Sequence, residues 1–136
     1  MTTWTTAGTR YCHRTRRLLA HLTGGGEGGA VVGLPSAPTG RAEPTDVAGV
    51  SALELPKALE PQLKGVAWHQ DARNLAVSAD IDVMVELIGG AEGIAKQIAE
   101  AALGAGKSLV TANKALIAKH GVALARTAAD KGVAFQ

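Results

Sequence analysis

Aromatic side chains are scarce in this chain: among 136 residues there is one Phe, one Tyr and two Trp. A core short of them must be assembled mainly from Ala, Val and Leu. Cysteine is scarcer in its consequences, since Cys12 stands alone and excludes an internal disulfide framework. The four histidines, His13, His21, His69 and His120, follow no spacing that would gather three ligands on one metal. Long apolar runs are missing, as is the charged-then-apolar-then-small order of a signal peptide, so the expectation is a soluble, cytoplasmic protein with no membrane partner. Charge of one sign is missing too: 14 basic residues face 12 acidic ones. The small basic excess gathers at Arg10, His13, Arg14, Arg16 and Arg17, and without a reading helix it does not suggest a nucleic-acid partner.

What is present divides into two textures. Residues 1–62 show no sustained period and are broken at Gly24-Gly25-Gly26, Gly28-Gly29, Pro35, Pro38, Gly40 and Pro44. This stretch reads as poorly structured or non-native, with two short exceptions: a basic helix at Arg14–Leu22 and a strand at Ala30–Leu34, neither of which short runs can establish. Residues 63–136 read differently. Gly65–Trp68 suits a short strand and Asp71–Ala79 a helix. Ile81–Ile88 is β-branched and apolar and stops at Gly89-Gly90, the pattern of a strand buried in a parallel sheet. Ala91–Leu103 places Ile94, Ile98, Ala101 and Ala102 on one helical face, with Glu92 at its start and Gly104 and Gly106 at its end. Lys107–Thr111 returns as a strand, Leu116, Ile117, Leu124, Ala125 and Ala128 mark a second helix that Gly121 is able to divide, and Val133-Ala134-Phe135 opens another strand. The order β-α-β-α-β predicts an α/β fold, the distal half of a Rossmann-like doubly wound parallel sheet.

Ligands of such sheets collect beyond the carboxyl ends of the strands, where loops diverge and helix N-termini point outward. Two such ends carry suggestive residues. Ile88-Gly89-Gly90 would let backbone approach a flat ligand. Thr111-Ala112-Asn113-Lys114 presents a hydroxyl, an amide and an ammonium within four residues. An amide suits a carboxamide, and an ammonium steadies charge on a carbonyl oxygen as hydride arrives, which is what a nicotinamide site needs. The plainer reading is that Thr111 and Asn113 cap a helix and Lys114 is a solvated surface charge. Glu86, at the end of its strand, reads as a buried carboxylate with a structural hydrogen bond and receives no catalytic role.

The runs Asp82-Val83-Met84-Val85-Glu86-Leu87-Ile88-Gly89-Gly90, Ala101-Ala102-Leu103-Gly104-Ala105-Gly106-Lys107 and Val110-Thr111-Ala112-Asn113-Lys114-Ala115-Leu116-Ile117-Ala118 closely resemble homoserine dehydrogenase. The resemblance continues through His120-Gly121 to Lys131-Gly132-Val133 and covers roughly Leu63 to Gln136. It implies NAD(P)-dependent interconversion of L-homoserine and L-aspartate 4-semialdehyde, a step towards threonine, methionine and isoleucine. It further implies that Ile88, Gly89, Gly90, Thr111, Ala112 and Asn113 line the cofactor, NAD or NADP, and that Lys114 is an inherited active-site residue beside nicotinamide and substrate. The resemblance is compatible with an oligomer in the full-length family and implies no oligomeric state for this chain.

The family also opens with a strand and a Gly-x-Gly-x-x-Gly turn that cradles pyrophosphate. Gly24, Gly26 and Gly29 fit the spacing, but no apolar strand precedes them and a glycine-rich tract meets the pattern by chance. The family's substrate domain, with its proton-carrying lysine, is likewise not found after Val133. A chain with neither piece is expected to bind cofactor weakly and to turn over nothing alone. The Arg, Gly, Ala, Pro and Thr texture of residues 1–62 is what GC-rich DNA yields in a wrong reading frame, an idea that fails if no frame upstream of Leu63 encodes a strand and glycine-rich turn. Two alternatives stand beside this reading: another Rossmann oxidoreductase, and a non-catalytic nucleotide-binding or interaction module.

Overall fold

The β-branched run ending at Glu86 forms a strand because its side chains fill both faces of a sheet, and the remaining elements assemble around it. In the structure, a computed structural model that describes residues 30–34, 47–52 and 63–136, the order is β1 (Ala30–Leu34), β2 (Gly49–Ala52), β3 (Ala67–Trp68), α1 (Ala72–Ala76), β4 (Val83–Glu86), α2 (Ile94–Gly104), β5 (Ser108–Thr111) and α3 (Lys114–Lys131). The strands form one sheet in the order β3-β2-β1-β4-β5, the arrangement of a doubly wound dinucleotide-binding fold. Beyond β5 the chain begins a further parallel contact, with Phe135 opposite Leu109 and Ala134 and Gln136 exchanging backbone hydrogen bonds with Leu109 and Thr111. The strand expected to open at Val133–Phe135 therefore adds at this edge.

One strand departs from an all-parallel sheet. β2 and β3 are parallel, as are β4 and β5, but β1 runs antiparallel to both of its neighbours, β2 and β4. Pro35, Pro38, Gly40 and Pro44 between β1 and β2 are poor material for the crossover helix that a parallel pair requires. An antiparallel return needs no such helix. Leu34 consequently lies beside Val83, at the amino end of β4, and Val31 beside Glu86 at its carboxyl end. The carboxyl end of β1 thus lies at the edge of the sheet opposite to the carboxyl ends of β4 and β5. The basic helix expected at Arg14–Leu22 and the glycine pattern at Gly24, Gly26 and Gly29 lie outside the described residues.

Burial is set by the alternation of the strands. Met84, Glu86, Leu109 and Thr111 are buried, and Met84 and Leu109 sit in a core with Ala72, Leu75, Ala76, Ile81, Ile98, Ala99, Ala102, Leu103, Leu116, Leu124 and Ala128. This is the face covered by α1, α2 and α3. Val50 and Val85, with Val47, form a smaller cluster joined by Leu63, Val66, Val83, Leu87 and Val110. The helical face of α2 is rotated from the expected one: Ala95, Ile98, Ala99, Ala102 and Leu103 are buried, whereas Ile94 is 40% exposed. The shift follows from where the helix starts. Its cap is Gly93, not a residue near Ala91, so Glu92 stands outside the first turn. The chain leaves this helix through Gly106 at φ 75°, while Gly104 is its last helical residue. α3 runs unbroken through Gly121 and ends on Gly132 in the left-handed conformation. A single glycine inside eighteen residues is tolerated when Leu116, Leu124 and Ala128 anchor the helix on both sides of it.

Candidate functional site

β4 and β5 end side by side, with Glu86 opposite Thr111, and this register joins the two strand-end loops through one buried carboxylate. Glu86 is fully buried. Its Oε1 accepts the backbone N–H of Ile88 at 2.5 Å, and its Oε2 accepts the hydroxyl of Thr111 at 2.5 Å. The Thr111 oxygen in turn accepts the N–H of Asn113 at 3.0 Å. Asn113 Oδ1 accepts the N–H of Leu116 at 3.0 Å, which caps α3, and Asn113 Nδ2 donates to the carbonyl of Gly90 at 2.6 Å. The loop after β4 and the loop after β5 are therefore held by a chain of hydrogen bonds running Ile88, Glu86, Thr111, Asn113, Gly90.

Burial pushes the Glu86 carboxyl above its ordinary pKa, opposed by the hydrogen bonds from Thr111, Ile88 and Asn113. A carboxyl with a raised folded-state pKa binds its proton more tightly when folded. Its contribution to stability is whole below the unfolded value of about 4.5 and is lost as pH rises through the folded-state value. Glu86→Gln keeps an acceptor for Ile88 and cannot ionise. The variant is expected to match the parent near pH 4 and to melt at a higher temperature than the parent at pH 8. Melting curves across that range check it, and a constant difference at all pH values would contradict it.

The sequence-derived site residues fall into two groups. Thr111 and Asn113 are buried, and every polar group of the Asn113 side chain is engaged within the chain. The geometry makes this amide a cap and a tether, as the plainer reading of the sequence held. Gly89, Gly90, Ala112 and Lys114 are exposed and Ile88 is half-buried. Gly90 takes φ 88° with open space where a Cβ would stand, so the backbone there is free to meet a ligand. Lys114 is the first residue of α3 and has no ion-pair or hydrogen-bond partner among the described residues. A second tether fixes the Gly89–Gly93 loop: Glu92 Oε1 accepts Lys119 Nζ at 2.6 Å and His120 Nε2 at 2.9 Å. These two partners hold the Glu92 carboxyl down to about 2.

The sequence reading missed a third component. A cleft of about 660 Å³ opens at the carboxyl ends of β2, β3 and β4, lined by Ser51, Ala52, Trp68, Gln70, Asp71, Arg73, Ile88 and neighbours. Asp71 caps α1 by accepting the N–H of Arg73 at 2.9 Å. Both its oxygens also accept from the Arg73 guanidinium, at 2.9 Å from Nε and 2.7 Å from Nη2. That ion pair lowers the Asp71 pKa and raises that of Arg73. An Asp two residues before an Arg at a helix start is a readable cap, but nothing local shows that it faces a cleft. Among the described residues no cluster of three or more His, Cys, Asp or Glu side chains is suited to a metal, and no helix is long and apolar enough to cross a membrane.

The residues present suit a dinucleotide at both ends of this edge: open backbone at Gly89-Gly90 with an exposed ammonium at β5, and a cleft with an exposed indole at β2 and β3. Comparison with known proteins supports a dinucleotide-binding domain. Residues 25–136 match the family model described as homoserine dehydrogenase, NAD binding domain. The chain is 43% identical over 88 residues to a homoserine dehydrogenase of Corynebacterium glutamicum, a match covering 62% of this chain and 19% of that protein. It is 48% identical over 63 residues to the homoserine dehydrogenase of Pseudomonas aeruginosa, covering 46% of this chain and 14% of the relative. The Neisseria gonorrhoeae homoserine dehydrogenase is 47% identical over 55 residues, covering 40% of this chain and 12% of that protein. The match thus spans a fifth or less of the length of these curated relatives. No solved structure matches significantly. The family match begins upstream of residue 63 and takes in β1 and β2, the two strands that join the same sheet from the N-terminal side. On this match over most of its length, which its α/β fold accords with, the chain belongs to the homoserine dehydrogenase NAD-binding-domain family.

Proposed function

We propose that this chain supplies the nicotinamide-facing edge of an NAD(P)-dependent homoserine dehydrogenase, interconverting L-homoserine and L-aspartate 4-semialdehyde. In this reading Ile88, Gly89, Gly90, Ala112 and Lys114 face the cofactor, while Thr111 and Asn113 position the loop from beneath. NAD or NADP bound there would carry the hydride. With the cofactor bound, Lys114 would supply an ammonium to the carbonyl oxygen that gains negative charge as the aldehyde is reduced, and Gly89-Gly90 would let the ring approach the sheet edge.

The observation that carries the reading is the place of Lys114. A cation at the first position of a helix sits at the positive end of the helix dipole, a placement worth about 0.3–1 kcal/mol in the wrong direction. Neither an acidic side chain in the first turn of α3 nor any described partner offsets it. A residue that costs stability where it stands and is open to solvent is suited to a ligand. Lys114→Ala is therefore expected to melt at the same temperature or slightly higher, and to bind NADPH about tenfold more weakly, a loss of about 1.4 kcal/mol. Fluorescence titration of NADPH beside a melting curve checks both. Unchanged affinity would remove Lys114 from the site. The chain on its own is not expected to oxidise homoserine, because Lys114 has no hydrogen-bonded acid or base among the described residues to move the proton.

A further inference from the structure

The loop between β4 and α2 has little of its own to hold it still. Gly90 and Gly93 both stand in left-handed backbone, at φ 88° and 69°, and Gly89, Gly90, Glu92 and Gly93 are exposed. Glycine keeps more conformational freedom than any other residue, and a segment with so few buried contacts opens readily unless something outside it fixes it. Among the described residues, two members of the loop reach across to a neighbouring element, and both are held by α3 or its cap. Asn113, the cap of α3, donates to the Gly90 carbonyl at 2.6 Å. Lys119 Nζ and His120 Nε2 both donate to Glu92 Oε1, at 2.6 and 2.9 Å. Lys114 begins the same helix, so the loop and the lysine share one support.

We infer that Glu92 is a positioning residue for the cofactor: its pairing with Lys119 and His120 sets the Gly89-Gly90 backbone in place relative to Lys114. The inference deepens the nicotinamide reading and rests on it for the place of the ligand. The Asn113 tether holds the loop at Gly90 alone. With Glu92 released, the left-handed glycines on either side of it become hinges, and the segment between Gly90 and α2 samples several positions. A ligand must then order the loop as it binds, and that ordering weakens affinity without removing any group that touches the ligand. Exposed ion pairs act weakly one at a time. Here one carboxylate gathers two donors, and the His120 side chain is only 18% exposed. The expected loss of affinity is about three- to fivefold, smaller than the tenfold loss expected of Lys114→Ala.

Glu92→Ala removes the latch from the loop side, and the double variant Lys119→Ala with His120→Ala removes it from the helix side. The two change net charge in opposite directions. By fluorescence titration each is expected to bind NADPH about three- to fivefold more weakly than the parent, with a melting temperature close to the parent's. The triple variant should bind no more weakly than either, because one pairing is lost in all three. If these groups acted on the anionic ligand through their charge, Glu92→Ala would tighten binding and the double variant would weaken it. Effects of opposite sign, losses that add in the triple variant, or unchanged affinity each overturn the inference. Hydrogen exchange of the ligand-free protein reads the latch without the cofactor: amides 89–93 should exchange about three- to fivefold faster in every variant, and rates equal to the parent's overturn the inference as well. In each of those cases a loss of NADPH affinity on Lys114→Ala would leave the nicotinamide reading standing.

Discussion

Thr111→Val is expected to destabilise the domain by about 2–6 kcal/mol, although it changes one hydroxyl for a methyl of nearly the same size. The hydroxyl serves two buried groups at once, donating to Glu86 Oε2 and accepting the N–H of Asn113. Valine leaves both without a partner, and each buried group left unsatisfied costs about 1–3 kcal/mol. Against a total stability of about 5–15 kcal/mol for a domain of this kind, the loss is a large fraction. Urea unfolding measures it. Thr111→Ser, which restores the hydroxyl, should recover most of the loss. If the valine variant unfolds at the same urea concentration as the parent, the hydrogen-bond chain from Ile88 to Gly90 does not hold the loops. The functional consequence follows from the same geometry, because Asn113 caps α3 and tethers Gly90, and a loosened Thr111 releases the segment that carries Lys114.

Leu109→Ala is expected to cost about 2–5 kcal/mol, towards the upper part of that range for a buried leucine. Leu109 is fully buried and faces Met84 across the β4–β5 pairing. How much a cavity costs depends on how far its surroundings collapse into it. The core around Leu109 is rich in Ala72, Ala76, Ala99, Ala102 and Ala128, side chains with no rotamer that reaches further. Met84 is the flexible neighbour able to move. Leu109→Met keeps the volume and should cost less than about 1.5 kcal/mol. Melting curves on the two variants separate cavity from general intolerance: equal losses for alanine and methionine would show that packing shape, not volume, governs the site.

The elements from β4 onward were legible because their signals are long or chemically distinct. The β-branched run of β4 stops at two glycines, Asn113 stands where a helix cap belongs, and Gly132 ends α3 as its position suggests. The face of α2 was harder to place, since a helix half made of alanine and isoleucine offers nearly equal apolar faces. The starting residue decided between them, and Gly93 supplies no side-chain cap to mark it. β2 left no sequence signal. Gly49-Val50-Ser51-Ala52 is too short to show alternation, and Val50 is 2% exposed only because Val85 and Val47 close over it. For the site, the residue types at the ends of β4 and β5 were readable, but which of them face a ligand was not. Asn113 carries an amide that looks available in sequence, and two hydrogen bonds within the chain consume it.

By itself the sequence determined the family, the helices and parallel strands after residue 80, and the loop that carries Lys114, because these depend on local periodicity and on runs of residues long enough to be specific. The tertiary structure alone decided that Glu86 joins the two strand-end loops, that β1 enters the sheet reversed, and that the local Asp71–Arg73 pair faces a cleft formed with β2 and β4. Each of these is a relation between segments distant along the chain or a direction of travel. Strand pairing and burial fix such relations, and no local pattern records them.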